Sequence, residues 1–228
     1  MGFQIQNALP TIELEIMKAF KCLLGIDVKI YSSGRTDRYV HAVGQVFHVD
    51  LDLDIPALGL MKGINSYLPN DIYIRNCEIV DENFHSRFSA KSKEYHYYIN
   101  TKEYNPISIR YMPYIYDLDV KLMKEALKLL EGTHDFKGFA SSSIDPRKST
   151  IKTIYEASVI QHDGFLEFKF VGTGFLKYQI RRMMGLIIEI GRKKESKEMI
   201  LKVLESKDPA ISHKVADGCG LYLIKVNY

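Results

Sequence analysis

The stretch that most constrains this chain is a dense polar loop between two runs of alternating apolar residues. One run ends at Tyr31, and the alternation returns at Gln45 with the sequence QVFHV. Between them one carboxylate, Asp37, is flanked by Arg35 and Arg38. Because nearby cations favour an ionised carboxylate, Asp37 is a poor general acid but a reasonable nucleophile or base. The pattern predicts two strands that hold a reactive side chain in an open loop. The alternative is an ordinary turn whose aspartate caps or pairs locally.

Length and composition are those of a globular protein with one large domain or two halves of about 100 residues each. The chain has 228 residues, of which 46% are hydrophobic and 26% charged. No run approaches the roughly 18 apolar residues needed to span a bilayer, and the N-terminus lacks a signal-peptide pattern. Three scattered cysteines argue against a disulfide framework or a zinc cluster and fit a reducing cytosol. We therefore expect a cytoplasmic protein with no membrane association and no bound metal.

Positive charge is concentrated in two segments, although the net charge is only +3. Residues 84–112 carry five Lys or Arg against two Glu, and residues 171–197 carry seven against two Glu. Such clusters, interleaved with Tyr and Phe, can follow a phosphate backbone. A single cluster is usually a solvated face, but two together favour RNA as a partner. Residues 141–149 predict a flexible Ser/Lys/Arg loop that either contacts RNA or is only a loop.

Helix and strand patterns recur in two passes along the chain, which predicts an α+β fold of two similar halves. The halves are placed at residues 1–102 and 103–228, because residues 101–111 are polar and rich in turn-forming residues. We expect antiparallel sheets joined around a central cleft, with helices packed on one side.

Cap and stop residues bound the predicted helices. Thr11 and Gly25 bound the first, whereas Asp54 and Asp119 are expected to be N-caps of the second and third. The predicted helices are residues 11–24, 55–68, 120–131, 175–190 and 195–204. The main predicted strands are residues 28–31, 45–50, 72–80, 93–99, 152–161, 164–171 and 220–226.

Two further segments carry chemically informative residues. Arg181 lies in an otherwise apolar helix, and an unpaired buried guanidinium is costly, so it needs an anionic partner. In the strand KEYHYYI, Tyr95 and Tyr97 share one face, and His96 and Tyr98 share the other. One face must be core, but the pattern does not distinguish them, so Tyr95 is either a core residue or a cleft residue.

Motifs at five or more places resemble, in the same order, those of the tRNA pseudouridine synthase A family. Residues 34–46 resemble the signature G-R-T-D-x-G-V-H-A-x-G-Q-V, with Tyr39 in place of the glycine after D-x. Glycine usually provides a backbone geometry that a Cβ resists. The other matching segments include residues 65–72, 84–90, 93–99, 134–139, 172–185 and 220–226. The family's first strand would precede this chain's first residue, so we expect the first sheet to lack that strand.

The resemblance implies that the protein isomerises uridine to pseudouridine in the anticodon stem-loop of tRNA, at tRNA positions 38–40, and acts as a homodimer. It implies that Asp37 is the catalytic residue, that Arg181 pairs with it, and that Tyr95 lies against the target base. The reaction involves no redox change or hydrolysis and needs no cofactor or metal. The remaining predicted substrate-binding residues are Arg35, His41 and Tyr97.

Two other functions are kept as alternatives. Tyr39 and the absent first strand suit an RNA-binding protein of the same fold with impaired catalysis. A carboxylate hydrolase built on Asp37 would need a second catalytic carboxylate within reach, and no motif provides one.

Overall fold

The computed structural model describes residues 2–6, 9–145, 149–212 and 214–228. Within these residues it contains five α-helices and eight β-strands in two sheets, which confirms the predicted α+β class. Part of the predicted loop at 141–149, namely residues 146–148, lies outside the described residues. No described helix has the length and apolar character that crossing a membrane requires.

The elements follow one another along the chain in a mixed order. The helices are α1 Ile12–Leu24, α2 Ala57–Tyr67, α3 Val120–Lys128, α4 Gln179–Gly191 and α5 Met199–Ser206. The strands are β1 Tyr31–Ser32, β2 His41–Ala42, β3 Phe47–His48, β4 Ser92–Asn100, β5 Gly132–Asp135, β6 Ile151–His162, β7 Phe165–Gly172 and β8 Leu221–Asn227. Short 3-10 helices occur at Ser108–Arg110, Phe136–Phe139 and Gly218–Gly220.

The chain divides into two compact units. The N-terminal unit comprises Met1–Tyr39 and Gln45–Ala90, and the C-terminal unit comprises Val40–Gly44 and Lys91–Tyr228. The division into similar halves at residue 102 stays a prediction.

The core of the N-terminal unit forms where α1 and α2 pack their apolar faces together. Ile16 and Phe20 of α1 are buried in this cluster with Leu60 and Ile64 of α2. The first predicted helix is confirmed, because the Thr11 side chain accepts a hydrogen bond from the Leu14 N–H and Gly25 ends the helix at φ 74°.

Two predictions in the N-terminal unit are wrong. Helix α2 begins at Ala57 after Pro56 and has no side-chain cap, so Asp54 is not its N-cap. No strand is assigned at residues 72–80. Instead the Asn65 amide donates to the Ile74 carbonyl at 2.8 Å and accepts from the Ile74 N–H at 2.7 Å. These bonds satisfy the two backbone groups that a neighbouring strand would otherwise have paired.

The C-terminal unit is built on a sheet whose described strands run in the order β2-β8-β4-β7-β6-β5. β2 pairs with β8 in parallel, and the other neighbours are antiparallel. Alternate residues of β7, Leu166, Phe168 and Phe170, are buried in one cluster with residues of α3, α4 and α5. The helices therefore cover the face of the sheet to which these side chains point.

The same alternation settles which face of β4 is core. Tyr97 and Ile99 are fully buried in the cluster under the helices. His96 and Tyr98 lie on the opposite face, where His96 contacts the carboxylates of Glu94 and Glu167 at 2.8 and 2.7 Å.

Candidate active site

The Asp37 loop is carried by a short antiparallel strand pair in the N-terminal unit. Tyr31 of β1 lies opposite His48 of β3. Beyond the pair, the Ser33 N–H donates to the Val46 carbonyl at 2.8 Å. The predicted arrangement of strand, loop and strand is confirmed, although both strands are only two residues long.

Backbone and side-chain hydrogen bonds brace this loop from inside. The Gln45 amide donates to the Gly34 carbonyl at 2.7 Å, and its oxygen accepts from the Val46 N–H at 3.2 Å. The Phe3 N–H donates to the Thr36 carbonyl at 3.0 Å. A Cβ on Gly2 would lie 2.9 Å from that same carbonyl oxygen, so the N-terminal segment lies directly against the loop backbone.

The side chains of the Asp37 loop differ in their exposure to solvent. Thr36 is buried and Asp37 is half-buried, whereas Arg35, Arg38 and Tyr39 are exposed. Asp37 is therefore held at a rigid point between cationic side chains that face solvent.

Tyr39 adopts the backbone geometry that glycine favours. Its φ is 66°, in the left-handed region. The Arg38 guanidinium carbon lies over the Tyr39 ring, 4.6 Å from its centroid. The loop thus keeps a glycine-like turn after Asp37 despite the side chain.

Arg181 is held on the first turns of α4 in the C-terminal unit. Its Nε–H donates to the Ala216 carbonyl at 2.8 Å, and the guanidinium carbon lies 5.2 Å from the centroid of the Tyr178 ring. The segment that carries Ala216 runs close along the helix, because a Cβ on Gly185 would lie 1.8 Å from the Lys214 carbonyl oxygen. The direction of the Arg181 side chain is therefore set by backbone from a distant part of the chain.

Tyr95 and Tyr97 occupy different environments on the same face of β4. Tyr95 is half-buried and meets the Phe175 ring edge-on at 5.4 Å. Tyr97 has no exposed surface, and its hydroxyl donates to the Asp217 carbonyl at 3.0 Å. Burial chiefly raises the pKa of Tyr97, and the charge of Asp217 adds to this. Tyr97 therefore supports the segment at residues 216–217 through its hydroxyl, and its substrate-binding role stays a prediction.

His41 of β2 lies in an aromatic stack. Its ring is 4.6 Å from Tyr222 and 5.6 Å from Tyr111, both in stacked orientation. Its Nε2 lies 3.3 Å from the Arg110 carbonyl oxygen. Burial raises the pKa of Tyr222 to about 12, so this ring is a neutral phenol at physiological pH. His41 is therefore held in a fixed orientation rather than projecting freely.

Comparison with known proteins decides the family. A family model described as tRNA pseudouridine synthase matches residues 126–228. The chain is 41% identical over 228 residues to the tRNA pseudouridine synthase A of an Exiguobacterium species, covering all of this chain and 92% of the relative. It is 40% identical over 230 residues to that of a Geobacillus species and 38% identical over 231 residues to that of Bacillus subtilis, covering all of this chain and 92% and 93% of those relatives.

The chain belongs to the tRNA pseudouridine synthase A family.

The tRNA pseudouridine synthase A signature of this chain passes from one compact unit to the other. Arg35 and Asp37 belong to the N-terminal unit, and His41 belongs to the C-terminal unit. Within the C-terminal unit, Tyr97 and Arg181 bind the consecutive carbonyls of residues 217 and 216. The pairing of Asp37 with Arg181 stays a prediction.

Sequence reasoning missed the residues that hold the site. Gln45 belongs to the signature, so its role in bracing the loop could have been suspected from the motif alone. The Ala216 carbonyl has no side-chain signal that would have identified it. In the ranges that the structure describes, no group of three or more His, Cys, Asp or Glu is arranged to hold a metal ion.

Proposed function

We propose that this chain isomerises uridine to pseudouridine in tRNA. The observation that carries the proposal is the braced loop that presents Asp37, in a chain 41% identical over its whole length to a tRNA pseudouridine synthase A. The signature residues on both sides of Asp37 support the same assignment.

The reaction is an internal transfer that balances without a co-reactant. The C1′–N1 bond of uridine breaks, the uracil turns, and a C5–C1′ bond forms. C5 then loses its proton and N1 gains one. Asp37 acts on the ribose, either as the nucleophile at C1′ or as the base that removes the C2′ proton, and both roles need the ionised carboxylate.

Arg181 is assigned to hold Asp37 and to balance its charge. Its Nε–H donates to the Ala216 carbonyl, and its terminal nitrogens are proposed to bind the Asp37 carboxylate. A planar guanidinium can bind a carboxylate through two parallel hydrogen bonds. This pairing would keep the carboxylate in one orientation while the base is turned.

Tyr95 is assigned to the target base. Its ring is only half-buried and is fixed edge-on against Phe175. An accessible, rigid ring can stack on the uracil or take part in a later proton transfer. Extrusion of a base from its stack costs a few kcal/mol, and one aromatic contact returns about 1–3 kcal/mol.

The finer assignments concern the substrate region and the setting. We assign the anticodon stem-loop as the region modified, a homodimer as the active form, and the cytoplasm as the location. The motif resemblance supports all three, and the basic segments at 84–112 and 171–197 suit a polyanionic substrate. Arg35 and His41 are proposed to contact the RNA near the target nucleotide.

The test is incubation of the protein with an unmodified tRNA transcript, followed by mapping of pseudouridine at each uridine. We expect modification by the parent and none by Asp37→Asn, which preserves size and removes the charge. Asp52→Asn, at an exposed position of the same unit, is the matched control and should match the parent.

The alternative functions predict different results. A parent that binds tRNA without modifying it is an RNA-binding protein. Modification restricted to the anticodon arm supports the assigned region, and modification elsewhere contradicts it. The oligomeric state is read from light scattering of the purified protein.

A further inference from the structure

Tyr39 is an exposed aromatic residue in a conformation that disfavours it. Its φ of 66° lies in the left-handed region, where a Cβ is strained and glycine is favoured. Its side chain is 59% exposed, and it belongs to neither hydrophobic cluster of the described chain. Core packing therefore does not offset the strain.

Tyr39 contacts a cation, the guanidinium of Arg38, as aromatic residues do in sites that bind nucleic acid. Arg38 lies against the ring with its guanidinium carbon 4.6 Å from the centroid, which orients the ring and places a cation beside it. Arg35 in the same loop is also exposed. A rigid aromatic face next to cations is the arrangement that holds an unpaired base and its phosphate.

The position of the ring limits what it can bind. Tyr39 follows Asp37 by two residues, and two residues of chain span at most about 7 Å. The Cα atoms of Asp37 and Tyr39 are therefore at most about 7 Å apart, a spacing that suits binding of adjoining nucleotides of one strand. Buried Thr36, whose carbonyl accepts from the Phe3 N–H, anchors the backbone just before Asp37.

We propose that Tyr39, supported by Arg38, is a stacking platform for the unpaired base next to the uridine on which Asp37 acts. The inference rests on the proposed function, since it needs an RNA substrate bound at the Asp37 loop. The ring takes part in no bond-making step. It lowers the free energy of the bound, unstacked RNA.

The decisive substitution is Tyr39→Gly, which removes the ring and relieves the backbone strain together. We expect the KM for a tRNA transcript to rise about fivefold or more, with kcat within about twofold. The thermal midpoint should stay equal or rise, since glycine suits this φ. Tyr39→Phe keeps the stacking face and should behave like the parent.

Tyr73→Ala is the matched control, because Tyr73 is also in the N-terminal unit and is 69% exposed. It should leave KM unchanged. An unaltered KM in Tyr39→Gly overturns the proposal. A loss in Tyr39→Phe as large as in Tyr39→Gly also overturns it, because the phenyl ring would still stack.

Filter binding of the same transcript separates this inference from the proposed function. A parent that forms no pseudouridine refutes the function. A selective loss of tRNA affinity in Tyr39→Gly would still support the platform, whereas equal affinity in all variants would refute it.

Discussion

Arg181 and Ala216 are joined by a reciprocal pair of hydrogen bonds. The Arg181 Nε–H donates to the Ala216 carbonyl at 2.8 Å, and the Ala216 N–H donates to the Arg181 carbonyl at 2.9 Å. One bond fixes the side chain and the other fixes the segment that holds it. The guanidinium is thus oriented by a backbone strap, residues 214–217, that lies along α4.

Arg181→Lys tests whether that orientation matters for turnover. Lysine keeps the charge but lacks the Nε–H and the planar fork. We expect kcat to fall on the order of 100-fold, as for loss of a fixed donor at a reaction centre, while the Kd for tRNA changes only a few-fold. Single-turnover kinetics and tRNA binding measure the two effects. Arg192→Lys, at the far end of α4, is the control, and unchanged turnover in Arg181→Lys would contradict the proposed role.

Gly185→Ala tests the close approach of the strap to α4. The added Cβ would lie 1.8 Å from the Lys214 carbonyl oxygen, so the strap must move. We expect a loss of about 1–3 kcal/mol in the free energy of unfolding, measured by urea denaturation. Gly59→Ala in α2 is the control, since its Cβ would meet nothing within 4 Å and should stabilise by roughly 0.5–1 kcal/mol. Equal changes in the free energy of unfolding of the two variants would show that helix propensity, and not contact with the strap, determines the effect of Gly185→Ala.

Gln45→Ala tests the brace of the Asp37 loop. The substitution removes the 2.7 Å bond to the Gly34 carbonyl and the 3.2 Å bond from the Val46 N–H. Because a small misplacement of a reacting group costs a large factor in rate, we expect kcat to fall at least about tenfold, with a loss of about 1 kcal/mol in stability. Gln161→Ala, at an exposed position of β6, should have neither effect. A stability loss without a rate loss would assign Gln45 to the fold alone.

His48 predicts a pH dependence of stability. Burial lowers its pKa, and the nearby His85 lowers it further, while Asp50 opposes the shift. The Ser86 N–H donates to its Nδ1 at 3.2 Å, which suits the neutral ring. The unfolded chain therefore binds a proton more readily. The contribution of His48 to the free energy of unfolding is complete above its unfolded pKa near 6.5. It is lost as the pH falls towards the pKa that His48 has in the folded protein.

The measurement is urea denaturation of the parent and of His48→Asn at pH 7.5 and pH 5. We expect the stability of the parent to fall more steeply on acidification than that of the variant. Parallel pH profiles would remove His48 as the source of the effect.

Features of the fold that depend on residues close together in the sequence could be predicted. Thr11 caps α1 and Asp119 caps α3, each through a bond to a backbone N–H three residues ahead. The strand predicted at residues 164–171 likewise matches β7, Phe165–Gly172. The failure at residues 72–80 accompanies a side-chain contact, since the Asn65 amide binds the N–H and carbonyl of Ile74. The failure at Asp54 reflects the start of α2 after Pro56 with no side-chain cap.

In the candidate site, too, residues that are close in the sequence could be predicted and contacts between distant residues could not. Arg35, Asp37 and His41 are close in the sequence, so a motif can identify them. The burial of Tyr97 could not be predicted, because alternation defines two faces of a strand and does not say which one the helices cover. The Ala216 carbonyl that accepts from the Arg181 Nε–H escaped prediction because it lies 35 residues away and any residue type supplies such an oxygen.

The place of β8 in the sheet has a consequence for biosynthesis. β8 lies between β2 and β4, and the Val43 N–H, just past the Asp37 loop, donates to the Leu223 carbonyl at 2.8 Å. The strand that secures this end of the loop is therefore translated after every other described element. A nascent polypeptide that has not yet reached residue 221 contains the complete signature but lacks the strand to which this end of the loop binds. The same holds for a chain that a premature stop codon ends before residue 221.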